Sequence, residues 1–126
     1  MITDMPGFKT SHAELAAYVT KDGSTVRELM HPALHDCVRQ SLAEAVVAPG
    51  ASTLAHRHHA SEEIYHFLSG QGRMRLDDQD IAVTAGDTVC IAPGRLHSLE
   101  NPGPDELRLL CICCPPYDHN DTNLED

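Results

Sequence analysis

The central part of the chain consists of short apolar runs separated by turn-forming residues. From residue 38 onward these runs are interrupted repeatedly by Gly, Pro and Asp. Such a pattern is typical of short strands joined by tight turns, and it predicts an all-β sandwich or barrel. Because no long helical segment interrupts the series, parallel βαβ units are excluded. The strands are predicted at residues 38–47, 52–58, 63–68, 72–76, 80–84, 88–92, 97–100 and 106–113.

The two ends of the chain lack the regular succession of short strands and turns that is predicted for the centre. Ser11 and Glu14 have the spacing of a capping box, which predicts a short N-terminal helix over residues 12–19. A turn and a strand at Thr25–Met30 follow. The last residues are polar and acidic, which predicts an arm that lies on the surface or is partly disordered. We therefore divide the chain into an N-terminal extension, a barrel and an acidic tail, at residues 1–36, 37–114 and 115–126.

Histidines are unusually dense around His56 and His58, which are two residues apart. Residues with this spacing in a strand share one face, so both imidazoles can bind one metal ion. A tight hairpin would bring Glu63 beside the pair, and His97 follows a Pro-Gly turn. Imidazoles with a carboxylate suit Fe(II), Mn(II), Ni(II), Co(II) or Zn(II), whereas Ca(II) prefers oxygen ligands. Alternatively, the histidines are solvent-exposed and the glutamate is a surface charge, but the joint spacing favours a metal site.

Two spaced motifs support this interpretation. The first motif is a glycine, five residues, the two histidines, four residues, a glutamate, six residues and a second glycine. It is formed by Gly50, His56, His58, Glu63 and Gly70. The second motif is a glycine, five residues, a turn that ends in Pro-Gly, two residues, a histidine, three residues and an asparagine. It is formed by Gly86, Ala92, Pro93, Gly94, His97 and Asn101.

In both motifs the chain resembles the cupin superfamily, specifically the small single-domain cupins of the cupin 2 conserved-barrel type. It departs from the usual pattern only at Ala92, where a proline is common. The resemblance implies a double-stranded β-helix, or jelly-roll barrel, that binds one divalent transition metal (Fe, Mn, Ni, Co or Zn). The implied metal ligands are His56, His58, Glu63 and His97. The motif glycines Gly50, Gly70 and Gly86 are expected at turns that require positive φ.

Side-chain parity around these ligands predicts the wall of the metal cavity. Tyr65 and Phe67 share the parity of Glu63, and Leu54 and Leu99 share that of the nearest histidines. We expect these four residues to form the substrate pocket. Tyr65 is also a candidate catalytic proton donor, although an aromatic residue inside a barrel can simply fill the core. Three neighbours are expected in loops or facing outward: His59, Glu62 and His66.

The resemblance leaves the reaction open. The favoured hypothesis is Lewis-acid isomerase, lyase or decarboxylase chemistry on a small oxygenated substrate, either a sugar derivative or a hydroxy/keto acid. Arg39, Arg73 and Arg75 are candidates to balance the charge of such a substrate. The alternatives are an Fe(II) dioxygenase and a non-catalytic module that binds a small molecule or a metal. Folding of Tyr117 and His119 over the barrel mouth is a less favoured possibility for the tail.

Composition narrows the choice of partners. The chain has 19 acidic residues against 9 Lys and Arg, a formal net charge of −10, which disfavours nucleic acid and anionic membranes. No apolar stretch approaches the roughly 20 residues of a membrane span.

The 5 cysteines are expected to be reduced, and we predict a cytoplasmic location. Small cupins are commonly dimers, and the outward apolar residues Ile64 and Leu68 suit a homodimer contact.

Overall fold

A computed structural model describes residues 7–125 of the chain. Eleven strands form two antiparallel sheets, and this architecture confirms the predicted all-β jelly-roll barrel. The strands are β1 Tyr18–Val19, β2 Thr25–Met30, β3 Ser41–Val47, β4 His56–His58, β5 Glu62–Ser69, β6 Gln71–Leu76, β7 Gln79–Thr84, β8 Thr88–Ile91, β9 His97–Glu100, β10 Leu107–Cys114 and β11 Thr122–Leu124. Among the residues that the structure describes, no helix is long and apolar enough to cross a membrane.

The two sheets face each other across the core. The six-stranded sheet has the order β1-β2-β3-β10-β5-β8, and the five-stranded sheet has the order β11-β4-β9-β6-β7. Alternate residues of each strand point inward, as the burial of Glu63, Tyr65 and Phe67 along β5 shows. One end of the space between the sheets is filled by large apolar side chains. The most deeply buried of these are Phe67, Met74, Ile91, Leu107 and Leu109.

The predicted N-terminal helix is only a single 3₁₀ turn, His12–Glu14. The Ser11 side chain makes no capping hydrogen bond, so the capping-box interpretation is wrong. The backbone carbonyl of Leu15 accepts a hydrogen bond from Arg27 Nε at 2.8 Å. Tyr18 then pairs with Val26 in the β1–β2 hairpin. Pairing with the sheet has therefore replaced continuation of the helix.

Strands from both ends of the chain join the sheets. β2 pairs with β3, as its predicted position at Thr25–Met30 allows. The acidic tail contains a second 3₁₀ turn, His119–Asp121, and β11, which pairs with β4. The tail is thus an ordered arm rather than a loose one. We call residues 115–125 the C-terminal arm.

The motif glycines and the motif asparagine have structural roles. Gly50, Gly70 and Gly86 all adopt positive φ, which confirms the expectation from sequence. A Cβ atom at Gly70 would also lie 2.4 Å from the backbone oxygen of Glu106. Asn101 is 1% exposed, and its amide nitrogen donates to the carbonyls of Val47 and Asp105 at 2.9 Å each. Asn101 therefore holds together the loops at the apolar end of the barrel.

Candidate metal centre

Three histidines from one sheet meet a glutamate from the other inside the barrel. His56 and His58 lie on β4, and His56 is paired in register with His97 on β9. Glu63 lies on β5, after a short connection that crosses between the sheets. All four residues are buried, with exposed fractions between 1% and 4%. Ligand nitrogens of the three histidines lie within 4.8 Å of one another.

Hydrogen bonds to Nδ1 assign the tautomer of each imidazole. His56 Nδ1 donates to the backbone oxygen of Leu54 at 2.9 Å, and His97 Nδ1 donates to that of Arg95 at 3.0 Å. His58 Nδ1 lies 3.1 Å from Thr122 Oγ1, whose own proton is donated to the Asp118 carbonyl. The hydroxyl of Thr122 therefore accepts from His58. When the rings are neutral, as binding of a metal requires, this tautomer leaves the Nε2 lone pair of each ring free for the ion.

The free lone pairs converge without any hydrogen-bond donor between them. Glu63 Oε1 lies 3.1 Å from His58 Nε2 and 3.4 Å from His97 Nε2. Glu63 Oε1 and His97 Nε2 are both buried, and neither has a hydrogen-bond partner among residues 7–125. Burying polar atoms without partners is costly, and a shared cation between acceptors removes that cost. The residues present therefore fit a divalent transition metal, with three nitrogens and one carboxylate as donors.

The carboxylate of Glu63 is held in its charged form. Burial opposes ionisation, but in the metal-free protein hydrogen bonds and positive charge from His58 and His97, in the forms of these rings that carry a proton on Nε2, outweigh burial and lower the pKa of Glu63 to about 2. The second oxygen, Oε2, accepts a hydrogen bond from Cys113 Sγ at 3.4 Å. Burial raises the pKa of Cys113, so this thiol keeps the proton that it donates. Cys113 is a supporting residue that the sequence did not reveal, because its role depends on the pairing of β10 with β5.

The C-terminal arm supports the metal-binding strand from outside. Besides Thr122, the arm contributes Asp121, whose carboxylate accepts from the backbone amides of Ala60 and Ser61 at 2.8 and 3.1 Å. These two amides belong to the connection between β4 and β5, and therefore between His58 and Glu63. The Pro-Gly turn before β9 is also attached here, through Gly94 N and the His58 carbonyl at 2.7 Å.

A cavity of about 50 Å³ opens beside this centre. Tyr65 and Leu99 line the cavity. Phe67 faces inward but lies in the core at 0% exposure, outside the cavity wall. Leu54 is 55% exposed, because residues 53–55 are not part of β4 and the parity argument does not apply to them.

The charged groups of the cavity are acidic. Asp22 and Glu28 line it together with Glu63, and no Lys or Arg is among the described residues that line it. The predicted charge-balancing arginines, Arg39, Arg73 and Arg75, are exposed on the outside, and Arg75 forms an ion pair with Asp80. In the sequence, Asp22 belongs to the predicted turn that precedes the strand Thr25–Met30. Nothing in its local pattern distinguishes it from an ordinary turn aspartate.

The remaining predicted neighbours lie as follows. His59 and Glu62 are exposed, and His66 faces outward with Nδ1 at 2.8 Å from Thr88 Oγ1, as expected. Tyr117, on the C-terminal arm, lines the cavity and meets the ring of His58 edge to face, with centroids 5.9 Å apart. Its hydroxyl hydrogen-bonds to His119 Nδ1 at 3.0 Å, and His119 itself is exposed. The arm therefore contributes one wall of the cavity.

The hydroxyl of Thr122 gives the first testable prediction. We expect Thr122→Val to lower divalent metal affinity by roughly 10–100-fold, since the His58 ring loses the acceptor that orients it. Thr122→Ser retains the hydroxyl and should bind metal like the wild type. Competition titration with a chromophoric chelator measures both. Equal affinity of the valine variant and the wild type would show that the hydroxyl does not orient the ring.

Comparison with known proteins agrees with this architecture. A family model described as "Cupin domain" matches residues 43–113. An uncharacterized protein of Methanocaldococcus jannaschii is 48% identical over 98% of both chains. The oxalate-binding protein of Thermotoga maritima is 31% identical, over 88% of this chain and 82% of that protein. The polyketide cyclase RemF of Streptomyces resistomycificus has the same fold, with a TM-score of 0.79 and 20% identity over 94% of this chain and 84% of RemF.

Proposed function

The chain belongs to the cupin family, and on that premise we propose that it is a metal-dependent enzyme acting on a small oxygenated substrate. One observation carries the proposal. Glu63 Oε1 and His97 Nε2 are buried acceptors without a partner in the described part of the chain, and ligand nitrogens of the three histidines lie within 4.8 Å of one another. His56, His58, Glu63 and His97 would hold the metal. When bound, a divalent metal supplies Lewis acidity that stabilises negative charge developing on a substrate oxygen.

The residues around the site have complementary tasks in this proposal. Tyr65 lies beside His97, with ring centroids 5.8 Å apart. Burial, reinforced by the charge of Glu63, raises the pKa of Tyr65 well above its ordinary value. Its hydroxyl therefore stays protonated at neutral pH, and in this proposal it donates a hydrogen bond to a ligand in the cavity that Tyr65 lines. Leu99 and the apolar side chains of β3 limit the water that can enter.

The named relatives support a small oxygenated ligand. The Thermotoga protein is called oxalate-binding, and the Streptomyces protein is a polyketide cyclase. The name of the Thermotoga protein describes binding and not catalysis. It therefore also favours a second candidate function for this chain, a non-catalytic binding module that uses the same metal centre. Both candidates require the metal, so metal binding is the property to test first.

Metal loading is expected to stabilise the protein. Purified without a metal-chelating column, the protein should contain about one divalent transition metal for each chain. A chelator should lower its melting temperature, because an ion that binds only the folded state contributes RT ln(1 + [L]/Kd). Elemental analysis and thermal denaturation measure these effects. A melting temperature that does not respond to any of Fe(II), Mn(II), Ni(II), Co(II) or Zn(II) would contradict the proposal.

Oxygen uptake then separates the reaction classes. Substrate-dependent uptake by the iron-loaded protein would support a dioxygenase. Turnover without uptake would support isomerase, lyase or decarboxylase chemistry. Binding without turnover would support the non-catalytic module.

We also propose a cytoplasmic homodimer that pairs through the outer face of β5. All 5 cysteines are free, as a reducing compartment favours. Leu68 is 43% exposed on that outer face, and Ile64 is half-buried there. Light scattering at micromolar concentration should give twice the chain mass, and Leu68→Lys should shift the protein toward the monomer. A wild-type protein that is monomeric at this concentration would contradict the dimer.

A further inference from the structure

Asp22 presents a fixed carboxylate to the open side of the metal centre. Its Oδ1 atom accepts three hydrogen bonds, from Thr20 Oγ1 at 2.6 Å, Ser24 Oγ at 2.7 Å and Ser24 N at 2.9 Å. The turn that carries Asp22 is itself held by a backbone hydrogen bond from Leu54 N to the Asp22 carbonyl at 2.7 Å. The other oxygen, Oδ2, lies 3.7 Å from His56 Nε2. This oxygen is left available to a ligand in the cavity.

The charge balance of the cavity favours an uncharged ligand. Glu63 and Asp22 contribute two negative charges, which one divalent cation neutralises. No Lys or Arg in the described lining can offset a further negative charge. Glu28 adds a third carboxyl group, whose Oε2 is buried and has no partner among the residues that the structure describes. The charge of the divalent cation is already balanced by the carboxylates of Glu63 and Asp22. An anionic ligand would therefore add a negative charge to a narrow cavity whose described lining contains no further cation to pair with it.

The polar groups that face the cavity suit hydroxyl-bearing molecules. The lining combines acceptor carboxylates with residues that bear side-chain hydroxyls, namely Ser41, Thr53 and Tyr65. Ser41 Oγ and Thr53 Oγ1 each accept from a backbone amide, so their own protons remain to be donated. These hydroxyls both donate and accept hydrogen bonds. The opposite wall is apolar and built from small residues, Val26, Ala43, Ala45 and Val47. Because the cavity measures only about 50 Å³, the part of a ligand that reaches the metal is small.

We propose that the cavity selects a small uncharged molecule bearing hydroxyl groups, and that Asp22 is the residue that determines this selectivity. Asp22 accepts a hydrogen bond from a ligand hydroxyl and repels ligands that carry a carboxylate or phosphate. This inference rests on the proposed metal-dependent function and narrows its substrate class. It favours the sugar-derivative hypothesis over the hydroxy/keto acid hypothesis. It also separates this chain from the relative named for oxalate, a dianion.

A matched pair of probes tests the proposal. Glycolate and glycolamide have the same size and the same hydroxyl group, and only glycolate is charged. Their affinities for the full-length Mn(II)-loaded protein can be measured from paramagnetic broadening of the methylene protons, at a metal content verified by elemental analysis. The variant is Asp22→Asn, which keeps an acceptor for Thr20 and Ser24. The control is Asp78→Asn, which removes a carboxylate from an exposed turn.

We expect Asp22→Asn to raise the ratio of glycolate to glycolamide affinity at least tenfold, through tighter glycolate binding. Asp78→Asn should leave both affinities within twofold of the wild type. An unchanged ratio in Asp22→Asn at full metal content would overturn the selectivity role and leave the metal centre intact. Loss of metal from Asp22→Asn, loss of both affinities together, or binding of neither probe would also overturn it. A wild-type protein that retains no metal would instead overturn the proposed function on which this inference rests.

Discussion

Replacing His58 by alanine is expected to lower divalent metal affinity more than about 100-fold while the barrel remains folded. Groups that only orient a metal ligand contribute roughly 10–100-fold, and the loss of a ligand exceeds that range. His58 is well placed for this test because its ring contacts Glu63, Thr122 and Tyr117 but belongs to a strand of only three residues. The rest of the five-stranded sheet does not depend on its side chain.

His59→Ala is the matched control, because it removes the neighbouring imidazole from an exposed position. It should bind metal like the wild type. Isothermal titration measures affinity, and circular dichroism reports whether each variant folds. Should the cavity left by His58→Ala destabilise the barrel, His58→Gln fills most of the space and is expected to show the same loss. Wild-type affinity in a folded His58 variant would remove this residue from the ligand set.

Replacing Glu63 by glutamine is expected to change which metals bind, besides weakening all of them. The variant keeps the shape of the side chain but loses the negative charge of the carboxylate. In the wild type this charge is present at neutral pH, because the pKa of Glu63 is about 2. Manganese depends more strongly on oxygen ligands than zinc or nickel, which imidazoles suit well. We therefore expect Mn(II) affinity to fall more than about 100-fold and Zn(II) affinity to fall less.

Glu62→Gln controls for the loss of one negative charge, because Glu62 is adjacent but exposed on the outer face of β5. It should alter neither metal by more than about twofold. Competition titrations with Mn(II) and Zn(II) on all three proteins give the comparison. Equal losses for the two metals in Glu63→Gln would indicate that the carboxylate acts only through its charge and is not itself a ligand.

Much of the barrel was predictable from sequence because its signals are local. The turn glycines and the Pro-Gly turn mark where strands end, and alternation along β5 places Glu63, Tyr65 and Phe67 on the inner face. The spacing of His56 and His58 was sufficient to predict a shared face within β4. For His97, the motif resemblance was needed, since its approach to His56 depends on a strand pairing across 41 positions of the chain.

The residues that sequence reasoning missed act through contacts between distant segments. Asp22 enters the cavity only because the β1–β2 turn is held against residue 54, and Thr122 reaches His58 only because β11 pairs with β4. Neither pairing leaves a periodic pattern in so short a strand. The error at Leu54 has the opposite origin. Parity was extended beyond the end of a strand, into a stretch where alternation no longer holds.

The four proposed ligands come from both sheets, with three imidazoles on one and the carboxylate of Glu63 on the other. A cation bound by all four residues would link the two sheets at the open end of the barrel. At the opposite end the sheets are held together by the apolar core. Separation of the two sheets at this end would break bonds between the ion and its ligands, so a bound ion would oppose that separation. The sheets would therefore separate less often at the open end in the metal-bound protein than in the metal-free protein.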